Sequence, residues 1–171
     1  MDPDAVPTTA PTAVPAAVAA ALPKVAPRLH LDAPGTPGEP VTRADFRDRA
    51  LEHLARAAAR GVRHADLSFD PGAHTGRGVA AGDVELGYRD AVAEAGPRFG
   101  MTLTLTGEPA GDEPPAEPGT EARTEAGGPV PLDELVQRQR DAIARSRASE
   151  EDREAFLAEL DAFEALVAPP L

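Results

Sequence analysis

The polar residues whose spacing could support chemistry follow a predicted strand near the middle of the chain. Residues 62–69 alternate apolar and polar side chains, which is the period-two pattern of a strand with one buried face. The strand ends at Asp70-Pro71-Gly72, and His74, Thr75 and Arg77 come shortly after it. Loops at the carboxyl ends of strands are where α/β proteins meet their ligands. These three side chains could form a small anion-binding loop, although the same composition is also that of a simple turn.

The composition excludes several classes of function. The chain has 171 residues, no cysteine and a formal net charge of -12. Without cysteine there is no disulfide framework, no thiolate metal site and no cysteine nucleophile. The charge argues against nucleic acid and membrane as partners, because nucleic acids and anionic membranes both require a basic surface. No apolar run approaches the roughly 20 residues of a membrane span. Asp2 and Asp4 stand where a signal peptide carries positive charge, so the predicted location is cytoplasmic.

Helices are predicted on both sides of the central strand. Residues 42–45 have a capping-box pattern, which predicts a helix that runs to about residue 60. A second helix is predicted over 83–95, where Gly96-Pro97 should stop it. Residues 99–106 then alternate apolar side chains with threonine and predict a second strand. The order strand, helix, strand predicts a right-handed βαβ unit with parallel strands.

Proline and glycine divide the chain into four predicted parts. Residues 1–21, with prolines at positions 3, 7, 11 and 15, are predicted to be a disordered tail. A β/α region over 22–106 begins with a very short strand around His30 that ends at Asp32. Residues 107–130 are rich in glycine, proline and acid, which predicts an extended linker. Residues 131–171 are a predicted helix pair, and the last helix has an apolar stripe made of Phe156, Leu160, Phe163 and Val167.

Three segments resemble the adenosine/adenine deaminase family. F-D-P-G-A-H-T-G-R-G-V at 69–79 is similar to that family's Phe-Asp-Pro-Gln-x-His-Thr-x-Arg-Gly segment. L-P-K-V-A-P-R-L-H-L-D-A at 22–33 resembles its opening Leu-Pro-Lys-x-x-x-His-x-His-x-Asp/Glu-Gly strand, and residues 132–166 resemble its terminal helix pair. Family members are (β/α)₈ barrels in which a zinc-bound water attacks the purine ring. The resemblance implies an α/β remnant of such a TIM-type barrel, namely a small open parallel sheet with helices, plus the C-terminal helix pair.

The resemblance also implies a metal site, and the chain departs from its pattern. His30 matches the second histidine of the family's first strand and is the candidate metal ligand, and Asp32 matches an acid that contacts the substrate. The alternative interpretations are a polar residue at a loop edge and a turn residue. Arg28 stands where the first histidine belongs, and a guanidinium has no lone pair for a metal. The family's His-Ala-Gly-Glu and Ser-Asp-Asp stretches do not occur. We therefore predict no catalytic residue, and zinc, the family's cofactor, is not expected to be retained.

These observations lead to hypotheses from different classes. The chain is either a purine-deaminase homologue without activity of its own, with a purine nucleoside or base as its ligand, or a non-catalytic interaction module. A third hypothesis is a split enzyme completed by a partner chain. If the C-terminal helix pair packs poorly, we expect the open sheet edges to drive assembly into a homo-oligomer or dependence on a partner chain. Because the predicted βαβ helix covers one sheet face, we expect the C-terminal helix pair to pack on the sheet from the other side, or on its helices.

Overall fold

Three parallel strands form the sheet at the centre of the protein. The computed structural model describes residues 15–31, 41–76, 78–107 and 130–167. In these ranges β1 (Lys24–His30), β2 (Val62–Ser68) and β3 (Thr102–Thr106) lie in the order β1-β2-β3. Both strand pairs are parallel, which confirms the prediction that β2 and β3 run parallel. The fold is therefore α/β, with a small parallel sheet.

Six described helices surround this sheet. In chain order they are α1 (Ala16–Ala21), α2 (Arg43–Ala59), α3 (Gly72–Thr75), α4 (Ala81–Phe99), α5 (Leu132–Arg145) and α6 (Glu150–Val167). Helix α2 connects β1 to β2, and α4 connects β2 to β3. No described helix is both long enough and apolar enough to cross a lipid bilayer.

The start of α2 is as predicted, whereas the end of α4 is not. The Thr42 hydroxyl accepts the Asp45 N–H at 3.2 Å, and the Asp45 carboxylate accepts the Thr42 N–H at 2.9 Å, so the capping box is present. The predicted stop of the second helix at Gly96-Pro97 is wrong, because α4 continues to Phe99. Pro97 lies inside the last turn of α4, where it lacks the N–H of the i→i−4 hydrogen bond. The helix ends instead at Gly100, whose φ of 63° is left-handed.

One apolar core fills the space between the sheet and the helices α2 and α4. It contains alternate β2 side chains, such as Ala65 and Leu67, together with Phe46 of α2 and Tyr88 of α4. The two helices approach closely at Gly87, where an added Cβ would lie 2.6 Å from the Arg43 carbonyl oxygen. This face of the sheet is therefore closed by tightly packed helices.

A second apolar core lies on the other side of the sheet. Leu22 and Val25, at the start of β1, pack with Val136 of α5 and Leu160 of α6. The side chain of Gln139 reaches the sheet itself, where its Oε1 accepts the Val25 N–H at 3.0 Å. This confirms the expectation that the C-terminal helix pair folds back onto the sheet. Within α6 only Leu160 is fully buried. Phe156 and Phe163 lie at the margin of the core and are partly exposed.

The beginning of the chain corrects two predictions. The disordered tail was predicted to extend to residue 21, but Ala16–Ala21 is helical. The segment between Pro15 and Pro23 is proline-free and rich in alanine, the best helix former. Strand β1 also extends over Lys24–His30 and is longer than predicted. Pro27 is tolerated because β1 is an edge strand whose register shifts at this point.

Several predicted boundaries fall where the structure gives no description. Residues 1–14 of the predicted tail and 108–129 of the predicted linker lie outside the described residues. The division of the chain at 106 and 130 therefore stays a prediction.

Candidate functional site

His30, the predicted metal ligand, lies at the carboxyl end of β1. Its Nδ1 is 3.3 Å from the Ser68 hydroxyl, which belongs to the directly paired position of β2. His30 is half-buried, and Arg28, two positions earlier on the strand, is exposed. The position where the resemblance places the family's first histidine thus holds a permanent cation two residues before His30, and a positive charge near a ligand disfavours a bound metal ion.

Asp32, the predicted substrate-binding residue, lies outside the described residues, and so does Arg77. His74 is described and is 7% exposed, with its ring packed edge-on at 4.8 Å from the ring of Phe46. The Thr75 hydroxyl donates to the Gly72 carbonyl oxygen at 3.1 Å within the short helix α3. The prediction of an anion-binding loop is therefore wrong for His74, because its imidazole is part of the core between α2 and α3.

The structure brings together a buried polar pair that the sequence analysis did not single out. On β2, His64 Nε2 lies 3.0 Å from Asp66 Oδ1, and these side chains are 0% and 6% exposed. Asp66 Oδ2 accepts the backbone N–H of Arg147 at 2.7 Å, in the connection between α5 and α6. The Phe156 ring of α6 lies 5.7 Å from the His64 ring. The pair therefore faces the C-terminal helices, on the side opposite to Ala65 and Leu67.

This polar pair could have been found from the alternation in β2. The pattern placed Asp66 and Ser68 on the face opposite to the apolar residues, and His64 belongs to the same face. The expectation that the C-terminal helix pair packs on the sheet did not show which residues would meet the pair, because the Arg147 N–H that Asp66 accepts comes 81 positions later. An aspartate beside an imidazole can orient it for proton transfer. Here, however, both residues are buried between β2 and the C-terminal helices.

An open groove lies between the end of β3 and helix α4. Its volume is about 440 Å³, and its lining is partly apolar, from Phe69, Val92, Leu105 and Gly107. The charged residues at its wall are Arg89 and Glu85, which pair with each other at 2.6 Å along α4. His30 and the pair His64–Asp66 do not line it. Among the described residues, the groove is therefore separate from His30 and from the pair His64–Asp66.

The described residues do not fit a catalytic zinc site. Such a site needs about three protein ligands around one ion. In residues 15–31, 41–76, 78–107 and 130–167 there is no group of three or more histidine, aspartate and glutamate side chains that could hold a metal ion. His30 therefore has no set of partner ligands in these ranges.

Two carboxylates with lowered pKa values, Asp90 and Glu94, lie at ion pairs between helices. The hydrogen bond from the Arg43 guanidinium holds the pKa of Asp90 below its ordinary value. Arg47 of α2 lowers the pKa of Glu94 in the same way, again mainly through a hydrogen bond. These pairs join the exposed flanks of α2 and α4. Their titration is therefore linked to the packing of two helices and not to a catalytic group.

Comparisons with known proteins relate part of the chain to purine deaminases. No family model matches the chain. The adenine deaminase of Cupriavidus metallidurans is 42% identical over 65 residues, which are 38% of this chain and 18% of that protein. The adenine deaminase of Streptomyces coelicolor is 47% identical over 64 residues, which are 37% of this chain and 19% of that protein. The chain thus spans less than one fifth of the length of these curated relatives.

A solved amidohydrolase from Burkholderia ambifaria, with bound zinc, is similar over a longer stretch at lower identity. It is 20% identical, with a TM-score of 0.46, over 90% of this chain and 54% of that chain.

Proposed function

Because 38% of this chain is related to adenine deaminases, we propose that the protein derives from a deaminase, has no deaminase activity of its own and acts as a small α/β interaction module. In this proposal the sheet is a remnant of a TIM-type barrel. The purine base or nucleoside of the parent activity is not turned over, and zinc is not retained.

The observation that carries the proposal is the covered polar face of β2. In a barrel, one face of each strand points inward, and the active site lies at the carboxyl ends of the strands. Here the face with His64 and Asp66 is closed by Phe156 of α6 and by the backbone of Arg147. The C-terminal helices therefore occupy the space that would have to admit a substrate.

The surroundings of His30 support the same proposal. A zinc ion that activates water is held by neutral imidazoles and carboxylates. Arg28 is a permanent cation two positions before His30 on β1, and His30 Nδ1 lies 3.3 Å from the Ser68 hydroxyl. This position therefore favours a polar contact at the end of the sheet over a metal ligand.

Zinc content and deamination of adenine and adenosine test this proposal on the purified protein. We expect substoichiometric zinc and no turnover above background, before or after metal reconstitution. The matched variants are His30→Ala and Arg28→His, the second of which restores the His-x-His spacing; both are expected to stay inactive. Turnover that survives reconstitution and is lost in His30→Ala would overturn the proposal. Calorimetric titration with adenine then shows whether a purine site has been kept without catalysis.

A further inference from the structure

Strand β3 leaves one edge of the sheet without a partner strand in the described part of the chain. Its other edge pairs with β2 over Thr102–Thr106. All five residues of β3 are half-exposed, whereas β2 is mostly buried. Parallel strands are normally covered on both faces and paired on both sides. An unpaired edge presents a row of free N–H and C=O groups that can pair with another chain.

The opposite edge of the sheet is protected in ways that β3 lacks. Strand β1 contains Pro27, which has no N–H to offer, and its register shifts between Ala26 and Leu29. A side chain of α5 also covers it, because Gln139 Oε1 accepts the Val25 N–H. Strand β3 has no proline, no charged residue and no register shift. Natural proteins use such devices to prevent edge pairing, so their absence marks β3 as the edge that is open to a partner strand.

We propose that β3 pairs antiparallel with β3 of a second copy of this chain, across a two-fold axis that passes through Thr104. The sequence T-L-T-L-T reads the same in both directions. Antiparallel pairing about its centre therefore places Thr102 opposite Thr106, Leu103 opposite Leu105 and Thr104 opposite itself. Self-complementarity of this kind is what a two-fold interface requires. Threonine pairs across antiparallel strands are favourable.

The surroundings of β3 also suit a second copy. Two chains with a net charge of -12 each repel one another. The wall of the groove beside β3 carries one cation and one anion, Arg89 and Glu85, which neutralise each other. Leu103 and Leu105 face the core on the α4 side of the sheet. Pairing would bring the leucines of both copies together on one face and form a continuous sheet of six strands.

The proposed dimer deepens the interaction module described above, and its test is independent of deaminase activity. Because the chain has no cysteine, one introduced thiol is the only one present. Under mild oxidation Thr104→Cys is expected to form a disulfide-linked dimer, because position 104 faces itself. Thr102→Cys alone is the matched control. Its two thiols would lie roughly 14 Å apart along the paired strands, beyond the about 7 Å that a disulfide spans. A mixture of Thr102→Cys and Thr106→Cys is expected to cross-link again.

A charge exchange tests the same pairing without covalent chemistry. Sedimentation of the wild type is expected to show a dimer. Thr104→Lys and Thr104→Glu should each be monomeric at the same concentration, since like charges directly oppose each other, and their equimolar mixture should recover the dimer. Arg28→Glu, on the protected edge strand, should leave the dimer intact. Circular dichroism verifies that each variant is folded. A monomeric wild type, or equal cross-linking of Thr104→Cys and Thr102→Cys, would overturn the proposal.

Discussion

Replacement of Leu160 by alanine tests whether the C-terminal helices and the sheet unfold as one unit. Leu160 is 1% exposed and packs with Leu22 and Val25 next to the sheet. Leucine-to-alanine changes at buried sites cost about 2–5 kcal/mol. A value of about 3 kcal/mol lowers the melting temperature by roughly 6–12 °C for a chain of this size. Leu166→Ala is the matched control, because Leu166 lies on the same helix and is 84% exposed; we expect its melting temperature to stay close to that of the wild type.

Two probes make this measurement specific. Tyr88 is the only tyrosine of a chain without tryptophan, and it is buried in the core on the α2 and α4 side of the sheet. Its fluorescence therefore reports on the face opposite to Leu160, while far-ultraviolet circular dichroism reports on all helices. If the protein is one cooperative unit, Leu160→Ala shifts both transitions equally. A Tyr88 transition that stays at its wild-type temperature would refute the reasoning, because the helix pair would then be an independent appendage.

Further predictions concern the contact between α2 and α4, where Gly87 lies against the Arg43 carbonyl. Gly87→Ala should lower the free energy of unfolding by about 1–3 kcal/mol, because the new methyl group overpacks the crossing. Gly82→Ala, in the same helix with nothing near its Cβ position, should be neutral or slightly stabilising in the same urea titration. Acid should also weaken this contact, since the pKa values of Asp90 and Glu94 are lowered in the folded protein. Their contribution is present above the ordinary carboxylate pKa of about 4 and is lost as the pH falls through the lowered values. The variant Asp90→Asn/Glu94→Gln should be less stable at neutral pH and show a smaller loss on acidification; an unchanged acid profile would contradict this.

Local patterns in the sequence predicted the elements whose signals are local. The capping box at Thr42 and Asp45 fixes the start of α2, and period-two alternation identifies β2 and β3. The apolar stripe predicted on α6 includes Leu160, which is the buried residue of that helix, whereas Phe156 and Phe163 of the same stripe are partly exposed. The end of α4 was predicted wrongly, because Gly96-Pro97 is a strong stop signal on average. Near the end of the helix, however, Pro97 removes only one hydrogen bond, and α4 ends at Gly100, which has a left-handed conformation.

The parts of the candidate site that escaped prediction depend on distant contacts. His74 has the sequence context of a ligand-binding loop, yet its ring lies against Phe46, which is 28 positions earlier in the chain. The burial of Asp66 depends on Arg147, 81 positions later. Nothing in the local sequence shows which face of a strand another element will cover. His30 lies at the carboxyl end of β1, and its role as a metal ligand stays a prediction.

The hydrogen bond between Val25 and Gln139 joins residues 114 positions apart, and this separation sets an order of events during synthesis. All three strands leave the ribosome before α5, and α6 ends about 60 residues after β3. At a synthesis rate of about 5–20 residues per second, helices α5 and α6 follow β3 after roughly 3–12 s. During that interval the sheet face with Leu22 and Val25 stays uncovered. We therefore expect a nascent chain stalled between β3 and α5 to bind chaperones that recognise apolar surface, whereas α5 and α6 cover that surface in the folded structure.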